Sequence, residues 1–187
     1  SDLSHHIWGL FMSLSRREAL AGAASVLATR TASATDTPRL SLAALEAASA
    51  PTGPHQVVYL WPAGAPGLPR RPPNEQVVER SQPPALRDRA VFHTLRPRLI
   101  VFRPDNPNGA ALLLCPGGSY QRLAIDKEPY EAAARFTREG ITCFALLYRI
   151  PGDNWAAGPD APLQDAQRAM RVIRARAHEW KIDPARV

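Results

Sequence analysis

Two uninterrupted apolar runs, residues 110–115 (AALLLC) and 141–148 (ITCFALLY), constrain this chain more than any other feature. Both are too short for a long helix and too continuously apolar for a sheet with one wet face. Each therefore reads as a strand buried on both faces. Between them, residues 128–139 read as a helix, with Asp126 as its cap and Pro129 in the first turn, where a missing N–H costs nothing. Gly140 stands at the stop. Strand, helix and strand in this order make a parallel, right-handed β-α-β unit.

The remaining segments fit around that unit. Residues 56–61 (QVVYLW) read as a first strand ended by Pro62, and residues 90–95 and 98–103 as one or two more. Pro72, Pro73, Pro83 and Pro84 keep the stretch from 62 to 88 mostly irregular. Beyond a loop at 149–162, Leu163, Ala166, Met170, Ile173, Ala177 and Trp180 recur at steps of three or four. They predict a helix with that stripe on the core. Asp165 in its first turn suits the positive helix end, and Pro184 terminates the segment. The succession is that of an α/β fold with a mostly parallel central sheet and flanking helices.

Charge and composition narrow the function classes. Lys and Arg number 23 against 17 Asp and Glu, a net charge of +6. The cations are mostly isolated arginines without interleaved aromatics, so no nucleic-acid partner is expected. No run reaches the ~18 apolar residues of a membrane span, and no membrane partner is expected for the mature form. The 2 cysteines exclude a disulfide framework; Cys115 and Cys143, on strands that should be neighbours, are expected as free buried thiols, with a disulfide on export as the alternative. His55, His93 and His178 read as surface or structural residues. Nothing has metal-ligand spacing, and no cofactor is expected.

Residues 1–34 read as an N-terminal extension with a twin-arginine-type signal: Arg16-Arg17, a weakly apolar Ala/Gly-rich stretch, then Ala32-Ser33-Ala34. The competing reading is a short amphipathic helix. An exported protein, periplasmic or secreted, is the expectation. Residues 35–54, rich in Ala, Ser, Thr and Pro, read as a flexible linker. Residues 183–187 read as the approach to another buried strand, and the domain is expected to continue past Val187.

Chemistry concentrates in Cys115-Pro116-Gly117-Gly118-Ser119-Tyr120, at the carboxyl end of a predicted strand, where open α/β sheets bind ligands. Consecutive glycines turn the backbone sharply and leave N–H groups uncovered for an oxyanion, although a tight turn alone also explains them. This segment resembles the oxyanion loop of the acetylxylan-esterase-like and lipase-like α/β-hydrolases. Three more landmarks share the resemblance in the same order: residues 60–67 (LWPAGAPG), 147–151 (LYRIP), and 162–166 (PLQDA) with 180–187 (WKIDPARV). The likeness spans about Val57 to Val187 and identifies 55–187 as the N-terminal portion of such a domain.

The resemblance implies that the N–H groups of Gly117 and Gly118 form part of an oxyanion hole. It also implies that Tyr120 walls the substrate pocket, where the alternative is a core aromatic, and that Arg149 anchors the loop after its strand. Ser119 replaces a third glycine of the relatives, and Pro116 stands where the lipase-type motif has His. The chain contains no Gly-x-Ser-x-Gly, so the nucleophile, its acid and its His are expected beyond Val187. Ser119 belongs to the loop and is not a substitute. The implied activity is cleavage of carboxylic esters through an acyl-enzyme, with acetyl groups of plant polysaccharide as a substrate, and these 187 residues alone are expected to be inactive. A peptidase of the same fold, or a non-catalytic fragment or binding module, are the competing readings.

Overall fold

The computed structural model describes residues 40–83 and 86–187. The signal sequence read at 1–34 lies outside them. Strands β1 (Gln56–Tyr59), β4 (Arg98–Phe102), β5 (Ala111–Leu114) and β7 (Thr142–Leu147) form a four-stranded sheet in the order β1-β4-β7-β5. The apolar runs produce the expected pairing: β5 and β7 are parallel, with Leu112 opposite Cys143 and Leu114 opposite Ala145. β1 and β4 add antiparallel neighbours on the other side. Every residue of β4 and β7 is buried.

β5 departs from the expectation of burial on both faces. Only its Ala111 is buried, and Leu112, Leu113 and Leu114 are half-buried. The reason is its place at the sheet edge, where one side meets β7 and the other no strand of the described residues. On that open side Ala111 N–H donates to Arg186 C=O at 3.0 Å.

The proline-rich stretch contains a strand after all. β2 (Gln76–Glu79) pairs antiparallel with β3 (Arg89–Phe92), which pairs with the two-residue β6 (Leu123–Ala124) in a small second sheet. β2 is a mostly exposed edge between prolines, where missing N–H donors do no harm.

The segment read as a flexible linker holds helix α1 (Leu42–Ser49), capped by Ser41 Oγ accepting from Ala44 N–H at 3.2 Å. Its last carbonyls would otherwise lack partners. Arg89 donates to Ala48 and Ala50 C=O (2.7 and 2.9 Å) and Tyr130 Oη to Ser49 C=O (2.7 Å), docking this end onto the domain. Alanine-rich sequence with a Ser cap is good helix material, and composition alone misread it.

The helix predicted at 128–139 is three short pieces: a π-helical turn (Asp126–Tyr130), helix α2 (Glu131–Phe136) and a 3-10 turn (Thr137–Glu139), ended by Gly140 at φ +79°. Asp126 does not cap it. Its carboxylate is taken by Arg89, which donates from Nε (2.9 Å), Nη2 (2.6 Å) and the backbone (2.7 Å).

The last helix, α3 (Ala161–Ala175), runs on into a 3-10 turn (Ala177–Trp180). Its buried face is Ala161, Asp165, Ala169 and Ile173, rotated from the predicted stripe. Leu163 is exposed. Trp180, almost fully buried, meets Phe144 edge-on with ring centres 4.9 Å apart.

Candidate active site

A cleft of about 500 Å³ opens where the end of β5 passes into the glycine segment. One wall is Cys115 through Tyr120. The others are Leu146 and Tyr148 at the end of β7, and Pro159, Pro162, Leu163 and Ala166 around the start of α3. The lining is mainly apolar, as is usual in small-molecule sites.

The loop is rigidly specified. Tyr148 Oη donates to the buried Pro116 C=O at 2.7 Å. Burial pushes the Tyr148 hydroxyl up to about 12, so it stays a donor at neutral pH. Gly117 C=O accepts from Ala124 N–H (3.0 Å), and Gly118 C=O from Gln121 and Arg122 N–H (3.0 and 3.3 Å). Gly118 has φ +140°, and a Cβ there would lie 2.1 Å from Arg122 O, so no other residue fits. Ser119 and Tyr120 follow at φ +55° each, a left-handed pair that non-glycine residues seldom adopt. Backbone of this kind is held against its own preference, which is a mark of functional loops.

Of the two N–H groups expected to form an oxyanion hole, Gly117's is engaged: it donates to the Glu128 carboxylate. Those of Gly118, Ser119 and Tyr120 have no acceptor among the described residues. The donors open to a ligand thus begin one residue later than the motif suggested. Tyr120 stands on the cleft wall, 61% exposed, with its ring 6.4 Å from that of Tyr148.

Arg149, fully buried at the end of β7, locks the α3 side of the cleft. Its backbone N–H donates to Asp165 Oδ2 at 2.9 Å, and its Nε to both carboxylate oxygens at 3.1 and 3.0 Å. Nη1 reaches Pro66 C=O (2.9 Å), while Nη2 reaches Ala161 C=O (3.3 Å) and Gln164 Oε1 (3.2 Å). Asp165 also accepts from Trp61 Nε1 at 2.8 Å. The acid read as a partner of the helix dipole is therefore the buried counter-ion that ties α3, β7 and the 61–67 loop together.

Among the described residues, none of His55, His93 and His178 lines this cleft. His93, at φ +56°, pairs through Nδ1 with Asp153 at 2.6 Å, and His55 Nδ1 contacts Gly53 C=O at 3.0 Å. Cys115 is exposed and Cys143 buried, both as free thiols; Cys143 lies opposite Leu112, three positions before Cys115. Among the described residues no three of His, Cys, Asp or Glu gather as a metal site. The arrangement can offer N–H donors to a developing negative charge, but no described side chain activates a nucleophile there.

No family model matches the chain. Over 88 residues, 46% of the chain, it is 34% identical to an acetylxylan esterase of Xylanibacter ruminicola. That stretch covers 17% of the esterase, so the chain spans less than a fifth of the relative it matches. Among solved structures it is similar to an acetyl ester-xyloside bifunctional hydrolase from Caldicellulosiruptor lactoaceticus: 32% identity, TM-score 0.43, covering 49% of this chain and 32% of that one. It is also similar to esterase 2 of Thermogutta terrifontis, with 19% identity and TM-score 0.43, covering 62% and 41%. Over 88 of its residues, then, this chain is similar to an acetylxylan esterase.

Proposed function

We propose that these residues form the oxyanion-binding part of a serine hydrolase that cleaves carboxylic esters through an acyl-enzyme. The observation that carries this reading is the run of unengaged N–H groups at Gly118 and Ser119, beside an apolar cleft at the end of β5. Amides preorganised in a water-poor cleft stabilise a tetrahedral oxyanion without rearranging during the reaction. The nucleophile, its base and its acid come from sequence outside these 187 residues, which contain no Gly-x-Ser-x-Gly. Acetyl groups on plant polysaccharide are the proposed substrate, supported by the similarity to an acetylxylan esterase. Export by the twin-arginine route is part of the same proposal, supported by Arg16-Arg17 and Ala32-Ser33-Ala34.

The test is hydrolysis of p-nitrophenyl acetate by the intact protein that carries these residues. Native protein should turn over the ester with a burst of p-nitrophenol, and Gly118→Ala should lower kcat about 100-fold or more. Neither the conformation nor the space at position 118 admits a Cβ. Ester cleavage that survives the substitution within about threefold would overturn the assignment.

A further inference from the structure

Glu128 has no place in the sequence motif, yet its carboxylate is the acceptor for Gly117 N–H. The two are packed so closely that a Cβ on Gly117 would lie 3.2 Å from both carboxylate oxygens. The backbone that presents Glu128 is itself unusual. In the π-helical turn Asp126–Tyr130 the hydrogen bond runs from Tyr130 N–H to Ile125 C=O at 3.2 Å, and Pro129 supplies no N–H. Both flanks are fixed, with Asp126 held by Arg89 (2.6 Å) and Tyr130 Oη on Ser49 C=O (2.7 Å). Glu128 therefore projects from an anchored turn onto the loop.

We propose that Glu128 is a positioning residue of the oxyanion loop, an inference that rests on the reading of that loop given above. A backbone N–H held by a carboxylate is a charge-assisted bond, about twice as strong as a neutral one. It fixes the peptide plane between Pro116 and Gly117. The Tyr148 bond to Pro116 C=O and the Ala124 bond to Gly117 C=O hold the same short segment from other sides. With that segment clamped, the Gly118 and Ser119 amides have one orientation before a substrate arrives. Glu128 is exposed and is not among the residues that line the cleft, so its effect passes through Gly117 and the loop.

The experiment compares native protein, Glu128→Ala and Glu128→Gln, each as the intact protein. Amide hydrogen exchange at Gly117 should accelerate about tenfold or more in E128A and stay within about threefold of native in E128Q, which keeps an acceptor oxygen. For p-nitrophenyl acetate, kcat of E128A should fall about 10- to 100-fold with KM changed less than about threefold, and E128Q should recover most of the loss. Unaltered exchange at Gly117, an undiminished kcat in E128A, or an E128Q as impaired as E128A would each overturn the proposal. A kcat that rises in E128A would overturn it too, because the carboxylate would then be blocking a donor. Should native protein cleave no ester, the hydrolase reading fails, and the exchange rates still decide whether Glu128 holds the loop.

Discussion

Replacing Asp165 by Asn keeps the shape of the side chain and removes the carboxylate that, among the described residues, pairs with Arg149. Both groups are fully buried. In the native protein the carboxylate accepts from Arg149 N and Nε and from Trp61 Nε1, and Arg149 Nη2 lies 2.9 Å from its Oδ1 as an ion pair. An amide offers one acceptor oxygen and turns an NH₂ donor towards other donors. Removing one partner of a buried ion pair costs about 3–5 kcal/mol, because the other charge stays behind without compensation. Arg149 retains Pro66 and Ala161 C=O, Gln164 Oε1, and the ring faces of Trp155 and Trp61 at 5.1 and 5.9 Å. These contacts place Asp165→Asn at the lower end, about 3 kcal/mol. Urea unfolding followed by tryptophan fluorescence reads this as a lower midpoint at unchanged slope, with the melting temperature down by about 6–12 °C. The paired replacement Arg149→Met with Asp165→Leu should cost less than Asp165→Asn alone, since it leaves no buried charge. A loss below about 1 kcal/mol in Asp165→Asn would refute the claim that this pair holds the α3 side of the cleft.

Alkaline titration tests the buried hydroxyls. Burial raises Tyr59 and Tyr148 from 10.0 to about 12, and Tyr130 further. Hydroxyls raised in this way stabilise the fold fully below pH about 10 and lose that contribution as pH climbs through about 12. Tyrosinate absorbance at 295 nm should therefore show most of the 4 tyrosines ionising late, and Tyr148→Phe should remove one late titrant; full ionisation near pH 10 in folded protein would contradict the burial. Thiol counting tests the cysteines: Cys115 should react in the native protein, slowly because burial raises its thiol, and Cys143, raised to about 11, only after unfolding. Absence of any titratable thiol in denaturant without reductant would indicate a disulfide and contradict the structure.

The two apolar runs made β5 and β7 legible, and the helical segment between them made their parallel pairing legible, because continuous burial and chain reversal leave few alternatives. Where a polar group sits inside, the letters mislead. The stripe from Leu163 to Trp180 follows apolar residues, but the face that packs includes Asp165, whose charge is matched by an arginine from another strand. No pattern within the helix records that partner. The same holds for Asp126, read as a cap and used instead by Arg89. Helix α1 escaped because Ala and Ser are common to linkers and helices alike, and docking depends on Arg89, Arg98 and Tyr130 far along the chain. At the cleft, sequence located the glycine loop at the strand end. Which of its N–H groups is open was decided by Glu128, 11 residues from Gly117 and on a turn whose π geometry no local signal announces.

On the proposed function, these residues bind the oxyanion while a serine elsewhere attacks. Reaction of the intact protein with a fluorophosphonate, followed by peptide mass spectrometry, tests it most directly. One labelled serine is expected, in a Gly-x-Ser-x-Gly outside residues 1–187, with labelling strongly reduced in Gly118→Ala. Label on Ser119, or on any other serine of these 187 residues, would contradict it.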